Sequence, residues 1–276
     1  MKITIVGHKG QLGEALQAVL ASESLQLLDL PEYDITVYPD SLRPIEEYGP
    51  EVVIHAAAMT DVDGCEIKPE MAFRVNALGA RNVALACQKM NAALLYVSTD
   101  YVFDGSSREP RWEYDRPNPQ SVYARSKCAG EQVVRDLLQR FYIVRTAWLY
   151  DRTHRNFINT VRRLCAERDH LKMVTTEEGS PTYAPDLAAA IAKLIRHPAY
   201  GIYHFTNSGV CSRYQWARKI LDLLGKKDYP LYPTDSYPRP AQVPAYVELK
   251  NCFGAALGIT LRPWEEALEE CLSGGK

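Results

Sequence analysis

Tyr123 and Lys127 stand four residues apart at the start of a helical segment and therefore share one face of it. A phenol and an ammonium so placed can move a proton. A free tyrosine titrates at about 10, and a neighbouring positive charge favours the phenolate and draws that value toward neutrality. The pair then becomes an acid for an oxyanion formed on a reduced carbonyl, and the lysine can also hold a nucleotide ribose. The spacing alone is cheap: with 17 tyrosines in the chain, about one Tyr-x-x-x-Lys is expected from composition. A second does occur, Tyr246 with Lys250. It follows a proline-rich stretch, too late in the chain for a cofactor domain, and is read as a decoy. Ser98, Thr99 and Asp100 end an apolar run ahead of Tyr123. There a hydroxyl can hydrogen-bond a substrate carbonyl, although the same residue types also make ordinary turns.

Gly7, Gly10 and Gly13 form G-x-x-G-x-x-G between a short β-rich run (2–6) and the helical pattern EALQAVLASE. Glycine lets the backbone approach a pyrophosphate, and the helix N-terminus offers free N–H groups and a positive dipole end. Gly13 allows close packing of helix on strand. A glycine turn can also simply join strand to helix; its position at the first strand favours dinucleotide binding. Asp29, at the end of the second strand, can bind adenine-ribose hydroxyls and so favours NAD, whereas Lys9 could meet a 2′-phosphate and favours NADP. The cofactor stays open between NADPH and NADH.

These residues need a scaffold, and the pattern supplies one. Strands are expected at 2–6, 25–29, 51–56, 93–98 and 141–147, with helices at 39–48, 69–90 and 121–139 between them. Apolar strands alternating with helices predict a Rossmann-type, doubly wound parallel sheet. Beyond residue 150 the pattern loosens. Helices are expected at 156–168, 186–196, 213–224 and 264–272, short strands at 171–175 and 201–206, and an ordered loop over 228–245, which holds five prolines. Residues 1–152 are expected to form the dinucleotide-binding domain, with 185–206 packing back onto it. Residues 153–276 would form a smaller, mainly substrate-binding domain.

With 276 residues, 46% of them hydrophobic, the chain can build a sizeable core. A net charge of -2 gives no electrostatic footprint for nucleic acid. No apolar run reaches the roughly 18 residues of a membrane span, and the N-terminal run is too short for a signal peptide. Seven scattered cysteines without a Cys-x-x-Cys suggest a reducing cytoplasm. The scattered histidines lack metal-ligand spacing, so no metal site is expected.

The ordered set STDYVFDG (98–105), YARSKCAGE (123–131) and RTAWLY (145–150), with AAAMTDVDGCE (56–66), NFINTVRRL (156–164), EEGSPTYAPDLA (177–188) and GIYHFTNSG (201–209), resembles the dTDP-4-dehydrorhamnose reductase family of extended short-chain dehydrogenases over nearly the whole chain. The resemblance implies reduction of the 4-keto group of a dTDP-linked 6-deoxysugar by NADPH or NADH, in a monomer or homodimer. It further implies that Gly10, Gln11 and Leu12 cradle the cofactor phosphates. Asp29 would reach the ribose, Asp34 and Ile35 the adenine, and Ala58, Met59 and Thr60 would line the cofactor. Thr99, Tyr123 and Lys127 would form the catalytic set, and Asp100 and Trp148 would contact substrate. Three features depart from the family pattern: Arg213 stands where the family usually has tryptophan, Asp151 replaces a common glycine, and Arg239-Pro240 is followed by AQVPAYVELK, with Glu248 in the acidic position. They bear on the sugar more than on the reaction. Some members bind magnesium through glutamates; Glu14 lies near but not on such a place, so Mg2+ is not carried over. Two other readings share these motifs. One is a nucleotide-sugar epimerase or dehydratase. The other is a non-catalytic NADP-binding subunit like the regulatory subunit of methionine adenosyltransferase.

Overall fold

The computed structural model describes residues 1–273. In chain order the first half contains β1 (Lys2–Val6), α1 (Gln11–Val19), β2 (Ser24–Leu28), α2 (Arg43–Tyr48), β3 (Val52–His55), α3 (Val62–Ile67), α4 (Pro69–Phe73), a π-helical segment (Arg74–Gly79), α5 (Ala80–Met90), β4 (Ala93–Thr99), α6 (Val122–Leu137) and β5 (Phe141–Thr146). The second half contains β6 (Leu149–Tyr150), α7 (Phe157–Glu167), β7 (Leu171–Val174), β8 (Glu178–Gly179), β9 (Thr182–Tyr183), α8 (Ala184–Leu194), β10 (Gly201–His204), β11 (Cys211–Ser212), α9 (Arg213–Leu223), β12 (Leu231–Thr234), α10 (Phe253–Ala256) and α11 (Trp264–Ser273).

Six strands pair in parallel in the order β10-β5-β4-β3-β1-β2. Both faces are covered, which is why the strands read as apolar throughout rather than alternating. On one face Leu12, Leu16 and Leu20 of the α1 region meet Leu187, Ile191 and Leu194 of α8 over Ile3 and Ile5. On the other, Val83, Ala84 and Cys87 of α5 and Val134 of α6 cover Val53, Leu94 and Tyr96. Each fully buried leucine or isoleucine contributes about 1.5–3 kcal/mol. The strand order reverses at β1, with β2 on one side and β3 on the other. The connections leaving the carboxyl ends of β1 and β3 therefore run to opposite faces of the sheet and leave a crevice between them.

A separate core in the second half gathers Ile158 and Val161 of α7, Trp216, Ala217 and Ile220 of α9, and Trp264 and Leu268 of α11. Helix α9 starts on a capping box, with the Ser212 hydroxyl and the Gln215 amide satisfying each other's backbone N–H groups.

The short elements α3, β6, β8, β9, β11 and α10 add to the sequence expectation, and two expected stretches take another form. The helix expected over 69–90 is interrupted by the π segment, which inserts one wider turn. The stretch 228–245, expected to be loop, contains β12, which pairs in parallel with β7. Its Pro233 removes a donor, as an edge strand tolerates, and hides the strand from pattern reading.

Candidate active site

The glycine turn is shaped by contact. Gly7 has φ +87°, and a Cβ there would lie 2.5 Å from the Ala57 amide nitrogen. A Cβ on Gly13 would lie 2.2 Å from the Gly7 carbonyl oxygen. The turn is thus pressed against the end of β3, and α1 against the turn. Gly10 is the N-cap of α1, and no side chain caps the helix. Gly10, Gln11, Leu12 and Gly13 line a cavity of about 780 Å³, so the free N–H groups of the first turn are available to an anion.

At the far side of the turn Asp29 accepts from the backbone N–H groups of Lys9 (2.9 Å) and Leu30 (2.8 Å). The Lys9 ammonium donates to the Leu30 carbonyl (2.6 Å) and pairs with Glu32 (3.0 Å). Asp34, Ile35, Ala58 and Thr60 line the same cavity. Met59 does not. Its side chain packs beside Cys65, Ala72 and Val122, and its main chain is held in both directions by the buried Asn76 amide, at 2.8 and 3.1 Å.

The other end of the cavity lies at the end of β4. The Thr99 hydroxyl donates to Asp100 (3.0 Å) and accepts from the Tyr101 N–H (3.2 Å). Tyr123 sits in the first turn of α6, whose N-cap Ser121 accepts from Ala124 N–H, and its phenol lies beside Thr99, which favours the phenolate. Burial pushes the Tyr123 phenol above its ordinary value, against the pull of Thr99. This reverses the sequence expectation of a phenol drawn toward neutrality. The physical reason is visible at Lys127, whose ammonium is itself buried. It donates to the Val97 carbonyl at 2.7 Å and lies 4.0 Å from the centre of the Tyr96 ring. Desolvation brings Lys127 down to about 7, with Glu131 opposing. Burial likewise lifts the Asp100 carboxyl to about 7, while Thr99 and Arg213 favour its charged form.

Trp148 lines the cavity with φ +43°, a backbone conformation unusual for a bulky residue. The Arg213 guanidinium lies over its ring, 3.5 Å from the centre, and a Cβ on Gly179 would come within 2.9 Å of the same indole. Arg213 also pairs with Glu177 at 3.5 Å and lines the cavity. The expected sugar platform is therefore presented together with a cation. Tyr246 and Lys250 stand outside the cavity lining, both hydrogen-bonded to Glu248 at 2.9 and 2.7 Å.

Three supports had no clear signal in the sequence. Asn76, in the π segment, donates to Ser126 of α6 (2.9 Å) as well as holding Met59, and its freed carbonyl accepts from the Tyr96 hydroxyl (3.0 Å). Beneath the Thr99 end, Glu131 accepts from Ser98 (2.5 Å) and from Arg145 by two bonds (3.0 and 2.8 Å). The loop 151–156 reaches the glycine turn: His154 Nε2 lies 3.1 Å from the Lys9 carbonyl, and Asn156 donates to Gln11 at 3.1 Å. Only long-range folding brings these partners together.

A parallel sheet with a glycine turn at its reversal point, and a hydroxyl, a phenol and an amine at the end of β4, define an NAD(P)H-dependent oxidoreductase of the extended short-chain type. Within that class the family is specific. The RmlD substrate binding domain model matches residues 1–275. The chain is 41% identical to a dTDP-4-dehydrorhamnose reductase of Mycobacterium tuberculosis, over 99% of this chain and 92% of that protein. It is 36% identical to the spore coat polysaccharide biosynthesis protein SpsK of Bacillus subtilis, over 98% and 96%. The crystal structure of a Bacillus anthracis dTDP-4-dehydrorhamnose reductase in complex with NADP superposes with a TM-score of 0.94 at 38% identity, covering 98% of each chain. The chain belongs to the dTDP-4-dehydrorhamnose reductase family.

Proposed function

We propose that the protein reduces the 4-keto group of a dTDP-linked 6-deoxysugar, converting dTDP-4-dehydro-L-rhamnose to dTDP-L-rhamnose. The observation that carries this reading is the meeting of Thr99, Tyr123 and Lys127 in the same cavity that begins at the glycine turn. The family relatives agree with it.

The residues present fit a dinucleotide. The uncapped N-terminus of α1 and the closely packed Gly7 and Gly13 leave backbone N–H groups for the diphosphate. Asp29 would meet the adenosine ribose, Asp34 and Ile35 the adenine, and Ala58 and Thr60 the stretch beyond β3. Met59 would act only through its main chain. When bound, the reduced cofactor supplies a hydride to the sugar carbonyl carbon. Thr99 holds the carbonyl oxygen, and Tyr123, kept protonated by its burial, gives that oxygen its proton. Lys127 would hold the nicotinamide ribose and stabilise the phenolate left behind. Asp100 and Trp148 orient the sugar. Residues 1–152, with α8 and β10, would serve the cofactor, and 153–276 mainly the sugar. We place the enzyme in the cytoplasm, as a monomer or homodimer that binds neither membrane nor nucleic acid. No described helix is long and apolar enough to cross a membrane.

The test is the disappearance of NADPH or NADH absorbance on addition of the enzymatically generated keto-sugar. Tyr123→Phe should lower kcat by about 10²–10⁴-fold. An unchanged rate in Tyr123→Phe would refute the assigned acid. Sugar turnover without net cofactor consumption would point to an epimerase or dehydratase instead.

A further inference from the structure

A bound diphosphate carries two negative charges that side-chain cations can offset beside the backbone N–H groups, and the glycine turn contributes no such cation directly. The Lys9 ammonium is committed to the Leu30 carbonyl and Glu32, on the ribose side of the turn. Lys127 is tied to Val97, and Arg213 lies over Trp148 beside Glu177. The other cations lining the cavity are His154 and Arg155.

Both sit on the loop between β6 and α7, which is built around the buried Asp151. One oxygen of that carboxylate accepts from the backbone N–H groups of Thr153 (3.2 Å) and His154 (2.9 Å) and from the Asn156 amide (3.1 Å). The other faces His154 Nδ1 at 2.5 Å. The loop is pinned to the glycine turn on both sides of Arg155, through His154 to the Lys9 carbonyl and through Asn156 to Gln11. Arg155 is exposed, lines the cavity, and has no hydrogen-bond or ion partner among the described residues.

The imidazole is also constrained in charge. Nδ1 faces Asp151, and Nε2 faces the Lys9 carbonyl and, at 3.6 Å, Glu14. The two carboxylates and the carbonyl are acceptors, the Thr153 hydroxyl 3.2 Å from Nδ1 can act either way, and a neutral ring has one N–H. Only the imidazolium makes both bonds. Partial burial works against that charge, but Asp151, the Lys9 carbonyl and Glu14 outweigh it, so His154 titrates above its ordinary value.

We propose that His154 and Arg155 form the second wall of the dinucleotide's diphosphate site, facing the N-terminus of α1. Arg155 contacts the phosphates. His154 is a positioning residue that fixes the glycine turn and adds positive charge. The proposal rests on the dinucleotide reading above.

The experiment measures NADH binding to the full chain by nicotinamide fluorescence, without sugar, alongside thermal unfolding of each variant. NADH is chosen because it carries no 2′-phosphate that titrates near neutrality. Arg155→Ala should weaken binding about tenfold, with Arg155→Lys recovering part of the loss. His154→Gln should weaken it by a similar factor. Wild-type affinity should decline as pH rises through the His154 titration, and the decline should be smaller in His154→Gln, the remainder belonging to Lys127, which titrates at about 7 in the same cavity. Arg163→Ala, on α7 and paired with Glu167 outside the cavity, should bind as wild type. Wild-type affinity in folded Arg155→Ala and His154→Gln would overturn this proposal alone. No NADH binding by the wild type would overturn the dinucleotide reading and the proposal with it.

Discussion

Lys127→Met should make the protein more stable and enzymatically dead. The buried ammonium titrates at about 7 instead of 10.5, a gap equivalent to about 5 kcal/mol of destabilisation wherever the lysine is charged in both states. Methionine has similar volume and no charge to desolvate. Its cost is the lost bond to the Val97 carbonyl, about 1–3 kcal/mol. The variant should therefore gain about 2–4 kcal/mol at pH 6. The sign of the pH dependence follows from linkage. Between about 7 and 10.5 the unfolded chain binds the proton and the folded one does not, so this group's stability contribution is present at high pH and is lost as pH falls through 7. The advantage of the methionine protein should accordingly shrink by about 2–3 kcal/mol between pH 6 and pH 9. Comparing the two proteins by urea unfolding at both pH values cancels the titration of every other group. A variant less stable than wild type at pH 6, or an advantage that does not change with pH, would refute the reasoning.

Glu131→Gln should cost about 3–5 kcal/mol in urea unfolding, because it leaves the buried Arg145 guanidinium without its two-bond partner; a loss below 1 kcal/mol would show that His204, 3.4 Å away, or solvent compensates. Gly13→Ala should abolish detectable dinucleotide binding, since its Cβ would stand 2.2 Å from the Gly7 carbonyl and force α1 off the turn; binding titrations check this, and retained affinity would mean that the turn is looser than its contacts imply. Glu32→Gln should raise the preference for NADPH over NADH by about threefold to tenfold, by releasing Lys9 toward a 2′-phosphate; the ratio of kcat/KM for the two cofactors measures it, and an unchanged ratio would leave Lys9 with no part in cofactor choice.

The sheet was legible because its signal is local and repeated. Apolar strands such as VVIH and ALLYVS, each followed by a helical pattern, allow little but a parallel sheet, and the glycine turn marks its first crossover. The family was legible for a different reason: several strings occur in a fixed order, and order is far harder to match by chance than any one string. What escaped was whatever depends on partners distant in the chain. Asn76 is an unremarkable polar residue in a helical run, until the π turn places it between Met59, Ser126 and Tyr96. His154 and Asn156 reach a turn 145 residues away. β12 escaped because proline masks its alternation.

The Tyr123 and Lys127 pair shows where local reasoning needed the third dimension. Spacing alone put a phenol beside an ammonium and predicted a depressed phenol. The structure buries the amine against Val97 and Tyr96 and brings it down to about 7, while burial raises the phenol. The two shifts have one origin, the removal of water from the end of β4. They suit the proposed acid, which would hold its proton until negative charge develops on the sugar oxygen. A positive charge on Lys127 is then worth most at that moment, because the same desolvation that disfavours the free ammonium strengthens its attraction for a nearby phenolate. In the proposed mechanism the desolvation cost of Lys127 in the empty cleft would be offset as negative charge develops, and Lys127→Met would remove both that cost and the charge.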